Sequence, residues 1–208
     1  GWHGYWLNPG DAGQGMTLKA AIGDVATPLG SLRYPVPETL LISGLMNHVY
    51  EHDYAVLTTL KVPRDVRPGM VLPIRIDAEW LACTVQICVP EEANVEASLT
   101  IVAPGTATPA DPRFDAWRAA LPAPLGAQAR FISVGGRYRI GIPLPASVEL
   151  ESPHLFVADD SVVDYAAPQA FYRKGDLLVV ELPPARFAPV TPTSLSAVLR
   201  LNRAGDGV

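Results

Sequence analysis

Basic residues are scarce in this sequence. Sixteen Lys and Arg side chains stand against twenty-one Asp and Glu, a formal net charge of −5. Only Lys19, Lys61 and Lys174 are lysines, and the basic residues cluster nowhere. Such a chain offers no footprint for a nucleic-acid backbone or an anionic bilayer surface, so neither is expected as a partner. Long apolar runs are also missing. Stretches such as Leu177 to Leu182 are strand-sized, far short of the ~20 residues a spanning helix needs, so no membrane insertion by this segment is expected. No signal peptide is visible: the chain opens on Gly1-Trp2-His3, so any export signal is expected to have been removed or to lie upstream. A Gly-rich phosphate loop, a locally supported Ser–His–Asp arrangement and acids paired at a recognisable spacing are absent too, and no cofactor is expected. Glu91-Glu92 is the nearest acidic pair and reads as a solvated strand start.

What is present points to a folded all-β chain. Of 208 residues, 49% are hydrophobic and 18% charged, a globular rather than a disordered balance. Twenty-one prolines and seventeen glycines punctuate short runs that alternate with period two. Strands are expected at Met16–Ala21, Tyr54–Val62, Val71–Trp80 and Val95–Val102, then at Ala129–Val134, Arg137–Pro143, Leu155–Ala158, Leu177–Leu182 and Ser196–Leu201. In the run from Val71 to Trp80, Leu72, Ile74, Ile76, Ala78 and Trp80 share one face, and Arg75, Asp77 and Glu79 the other. Pro73 cannot donate to a ladder, so that end is expected at an edge or bulge.

One short helix is expected. Asp111 suits its cap and Pro112 its first turn, with Phe114, Trp117 and Leu121 on one face, before Pro122-Ala123-Pro124 stops it. Pro104-Gly105-Thr106-Ala107-Thr108-Pro109 ahead of it has the composition of a linker. The expected organisation is therefore a β-domain over 1–103, a linker with a short helix over 104–126, and a second β-domain over 127–208.

Two cysteines carry the candidate chemistry. Cys83 and Cys88 sit where one strand ends and another begins, and the four residues between them can turn and bring the sulfurs together. The pairing reads equally as a structural staple or as an exchangeable disulfide. A loop this short restrains the unfolded chain by only about 2 kcal/mol, a weak staple for a domain of this size. Two buried free thiols form a third reading. A metal site combining the cysteines with His3, His48 or His52 is a further alternative, but no second close-spaced Cys or His pair supports it. His48 and His52 read as lying in a polar loop, and His154, at a strand start, as a surface residue.

The residues also resemble a known family. Gly1-Trp2-His3-Gly4-Tyr5-Trp6-Leu7-Asn8-Pro9-Gly10-Asp11-Ala12-Gly13 is similar to the signature of DsbD/ScsB-type protein-disulfide reductases, and so is Trp80-Leu81-Ala82-Cys83 to Cys88-Val89-Pro90-Glu91. Tyr34-Pro35-Val36-Pro37-Glu38 and Asn47-His48-Val49-Tyr50-Glu51 resemble its intervening segments, although His48 stands where an aromatic is usual. The likeness covers residues 1 to about 103. The resemblance implies an amino-terminal periplasmic module of immunoglobulin-like fold, in which Cys88 forms the mixed disulfide with thioredoxin-fold partners and Cys83 resolves it. It implies a cap loop, for which Asn47 to Glu51 holds the matching place, and sets Tyr5 and Trp6 close to the active site; Tyr50 or a neighbour in that loop is the candidate cover over the sulfurs, and Tyr50 reads equally as the start of the strand running on from Tyr54. Core packing accounts for Trp6 and Trp80 equally well. The family's membrane and thioredoxin-like domains are not in this sequence. The competing class is an exported β-sandwich that binds a partner or copper and is merely stapled by its disulfide.

Overall fold

Period-two alternation in the chain becomes, in a computed structural model describing residues 1–108, 110–187 and 192–208, a nearly all-β architecture of immunoglobulin-like sandwich type. Pro109, within the expected linker, lies outside the described residues. β2 (Thr17–Ile22), β3 (Val25–Thr27), β6 (Val71–Cys83) and β7 (Cys88–Thr100) form one antiparallel sheet in the order β3-β2-β6-β7. β1 (Gly4–Gly10), β4 (Glu38–Ile42) and β5 (Leu45–Tyr50) form a second, ordered β1-β5-β4. After the short helix α1 (Arg113–Ala119) come β8 (Arg130–Val134), β9 (Arg137–Pro143), β11 (Ala170–Lys174) and β12 (Leu177–Leu182), ordered β11-β12-β9-β8. β10 (His154–Val157) pairs separately with β13 (Ala197–Arg200).

Strand β6 shows why this sequence folds this way. Leu72 and Ala78 on its apolar face are buried, while Arg75 and Glu79 on the other are exposed. Pro73 is paired with Ser98 inside the strand, at the end where β2 has already turned away. Its carbonyl accepts from the N–H of Gly23 in the β2–β3 turn, so the missing donor faces a turn rather than a ladder. In the second half the alternation is sharper still. Tyr138, Ile140 and Ile142 of β9 and Leu178, Val180 and Leu182 of β12 pack on Leu155, Val157 and Leu199. Each such fully buried aliphatic side chain stabilises the fold by roughly 1.5–3 kcal/mol.

Three expectations need correcting. Tyr54–Val62 is no strand: it makes isolated bridges, Arg33 to Leu57 and Leu29 to Leu60. Its neighbour in space is punctuated by Pro28, Gly30 and Pro35 and cannot sustain a ladder. His48 is not in a polar loop but buried on β5, and His154 is not an open surface residue but half-buried against Phe156. The helix starts close to where Asp111 and Pro112 imply, with the Asp111 carboxylate accepting from the Arg113 N–H at 2.9 Å.

The two halves meet along a packed seam. Trp6 and His48 from the first half set their rings edge-on to Phe156 of β10, at 5.9 and 5.0 Å. The Asn8 amide donates to the carbonyls of Val157 and Asp159 and to Tyr165 Oη. His48 Nδ1 donates to the Asn8 carbonyl at 3.0 Å. Burial pushes the His48 imidazole down to about 4, and burial, with His48 and Arg200 nearby, pushes His154 down to about 3. Both are therefore neutral in the folded protein at pH 7. The unfolded chain takes up protons below ~6.5 that these sites refuse. Their contribution to stability is complete above that pH and lost as pH falls toward 4. Thermal unfolding should show a midpoint that drops between pH 6.5 and 4.5, and His154→Phe should flatten the drop. A wild-type midpoint constant across this window would contradict the seam as described.

Candidate functional site

The two cysteines close the hairpin between β6 and β7, which pair in register from Val71 opposite Thr100 to Cys83 opposite Cys88. Thr84 builds the turn. Its N–H donates to the Ile87 carbonyl at 2.8 Å, and its hydroxyl accepts from the N–H groups of Gln86 and Ile87. On the side away from β7, Cys83 is held by His3: the Cys83 N–H donates to His3 and the His3 N–H donates to Cys83, at 3.0 and 2.8 Å. With both backbone groups of Cys83 turned to His3, Cys83 and Cys88 form a non-hydrogen-bonded pair, the closer of the two antiparallel spacings. Their α-carbons are 4.1 Å apart and the sulfurs are joined.

The bridge is asymmetric. Cys83 is 1% exposed and packs with Tyr5 and Val49, flanked by Leu40 and Leu81. Cys88 is exposed, beside Val85 and Ile87, which are 65% and 56% exposed. Of the two sulfur-bearing residues, Cys88 is thus the one open to an approaching group and Cys83 the one closed off. Steric access of this kind decides which sulfur is attacked. The floor under Cys83 depends on a glycine. Gly13 has φ +101 and lies against the Tyr5 ring, where any β-carbon would collide with it.

Alternation along β1 and β5 sorts the remaining candidates. Tyr5 is brought to the cysteines, directly opposite Val49. Trp6 points the other way, into the seam with Phe156, Tyr34 and Tyr50. His48 lies in the seam, and Asn47 is buried with its amide donating to the Leu40 and Leu45 carbonyls. Tyr50 stacks on Tyr54 at 4.0 Å and donates its hydroxyl proton to the Pro35 carbonyl. Glu51, exposed, follows the end of β5. The segment from Asn47 to Tyr50 is thus not the cap loop that the resemblance implies. It is a strand bonded on both sides, to β1 and β4. The ring of Tyr50 belongs to the cluster on the far face, while its neighbour Val49 is the residue that packs on Cys83.

His3, which the sequence singles out only as a candidate metal ligand, is a direct neighbour of Cys83. It is buried, with its Nε2 in hydrogen-bond contact with Tyr5 Oη at 3.3 Å. Burial lowers its pKa, Glu51 pulls it up and the Gly1 amino group lowers it. Burial likewise raises the Tyr5 phenol. A signal for His3 existed, since it lies within the same motif as Tyr5, but nothing local shows that residue 3 pairs with residue 83. Among the described residues, no group of three or more His, Cys, Asp or Glu side chains is placed to hold a metal ion. Nor, among them, is any helix long and apolar enough to cross a membrane.

Comparison with known proteins fits this geometry. Residues 1–100 match the family described as thiol:disulfide interchange protein DsbD, N-terminal. No curated protein and no solved structure matches the chain. Residues 1–100, with their hairpin disulfide buried at one sulfur and open at the other, are thus similar to the DsbD N-terminal family of thiol:disulfide interchange proteins.

Proposed function

We propose that this chain is a periplasmic protein-disulfide reductase module. It accepts electrons from a thioredoxin-like domain served by a membrane reductase, and passes them to periplasmic oxidoreductases through Cys83 and Cys88. The observation that carries the reading is the asymmetry of the bridge: one sulfur open to a partner, the other sealed under Tyr5 and Val49. A partner thiolate attacks Cys88, forming a mixed disulfide and releasing Cys83; in the reverse direction Cys83 attacks and resolves it. Exposed Val85 and Ile87 beside Cys88 give the partner apolar surface to rest on. In this reading residues 1–103 form the redox-active module and 104–126 the linker. Residues 127–208 form a second β-unit that buttresses β1 and β5 through Trp6, Asn8 and His48.

Trapping tests the roles of the two sulfurs. Cys83→Ser, left with an accessible thiol and no resolving partner, should accumulate a mixed disulfide with an oxidised thioredoxin-fold protein, seen as a band lost on reduction. Cys88→Ser should not. Equal trapping by both variants, or by neither, would overturn the assignment.

Reduction should leave the fold standing. The disulfide closes a very short loop, worth about 2 kcal/mol on the chain-entropy account, and the β6–β7 ladder runs its full length without it. Thermal melts with and without reductant should both be cooperative, a few degrees apart. An unfolded reduced chain would favour a structural staple.

A further inference from the structure

Within the exchange reading above, on which this rests, we propose that His3 is the proton partner of the buried sulfur. When Cys83 is released as a thiolate, the imidazole of His3 takes up a proton and holds that charge in place.

Placement carries the argument. His3 and Cys83 exchange both backbone hydrogen bonds. Residues so paired in antiparallel strands lie about 5.5 Å apart at the α-carbon and project their side chains to the same face. Cys88 lies directly opposite Cys83 on the other side. His3, Cys83 and Cys88 therefore make one row across three adjacent chain segments, with imidazole at one end and exposed sulfur at the other. Tyr5, two residues along from His3, falls on the same face, packs on Cys83 and meets His3 Nε2 through its hydroxyl.

The chemistry of the pocket needs such a partner. The side chains packed with Cys83 are Tyr5, Val49, Leu40 and Leu81. A bare thiolate among them is costly unless a cation or a donor faces it. The groups that act on His3 are Tyr5 on β1, Cys83 on β6, the Glu51 carboxylate just past β5, and the Gly1 amino group. With the disulfide closed, burial favours neutral His3. A thiolate appearing opposite it supplies the negative charge that favours imidazolium.

The step balances as follows. A partner thiolate bonds to Cys88 Sγ, the Cys83–Cys88 bond breaks, and its electron pair remains on Cys83 Sγ. The proton lost when the partner's thiol ionised is matched by one taken up at His3. The partner's second thiol then ionises and attacks its own sulfur in the mixed disulfide, releasing Cys88, whose exposed sulfur takes up that second proton. The partner ends oxidised, and this chain ends with Cys83 and Cys88 reduced.

Two measurements on the full chain test the proposal. The first is titration of the His3 ring by NMR in wild-type protein, oxidised and then reduced with dithiothreitol. The midpoint should rise by about one unit or more on reduction, the effect of an opposite charge at short range. The second is the pH profile of reaction between the oxidised protein and reduced thioredoxin. His3→Asn should react about threefold to tenfold more slowly at neutral pH, because the leaving thiol is then more basic. If the variant fails to fold, the wild-type midpoint alone decides. An identical His3 midpoint in both redox states, with normal wild-type exchange, removes this proposal and leaves the exchange reading intact. Failure of wild-type protein to react with reduced thioredoxin at any pH removes the exchange reading, and this proposal with it.

Discussion

The site hangs on the two backbone hydrogen bonds between His3 and Cys83. They turn the peptide groups of Cys83 away from β7 and so set the close spacing that lets the sulfurs bridge. They also bring the Tyr5 side of β1 over Cys83, which seals one sulfur and leaves its partner open. The pairing leaves the two sulfurs inequivalent, with Cys83 buried and Cys88 exposed.

Strand β1 also joins the disulfide to the rest of the molecule. His3 and Tyr5 face the sulfur, while Trp6 and Asn8 face the second half of the chain. The Asn8 amide nitrogen lies in hydrogen-bond reach of three acceptors there, and its oxygen accepts from the Gly10 N–H within β1. A buried amide satisfied this fully is costly to disturb, because its loss strands several carbonyl and hydroxyl partners. The surroundings of the sulfur and the tertiary packing thus share β1 and the residue before it, His3, on opposite faces.

Much of this was legible in the sequence, in proportion to how simply each strand is buried. β6, β9 and β12 alternate cleanly because one face is apolar, and each was expected within a few residues of where it lies. β5 was read as a loop. Asn47, His48, Val49 and Tyr50 are all buried, so both faces are covered and no alternation is visible. The polar pair there is tolerated only because Leu40, Leu45 and Asn8 supply hydrogen-bond partners from other segments. Tyr54–Val62 erred in the other direction: it alternates, but its neighbour cannot pair. The cysteine pair is visible at once and the resemblance gives its sulfurs different roles, but the burial that distinguishes them is not legible, since it depends on residue 3 lying beside residue 83.

An exchangeable bridge and a structural staple share the same covalent bond and differ in how readily it is reduced. The equilibrium reduction potential of Cys83–Cys88, measured against a glutathione or thioredoxin couple, therefore tests the central claim most directly. Structural bridges lie below about −300 mV. An exposed Cys88 in a short, weakly stapling loop should place this pair above that value, within reach of thioredoxin-like donors. A potential well below it, with the bridge untouched by reduced thioredoxin, would contradict the account.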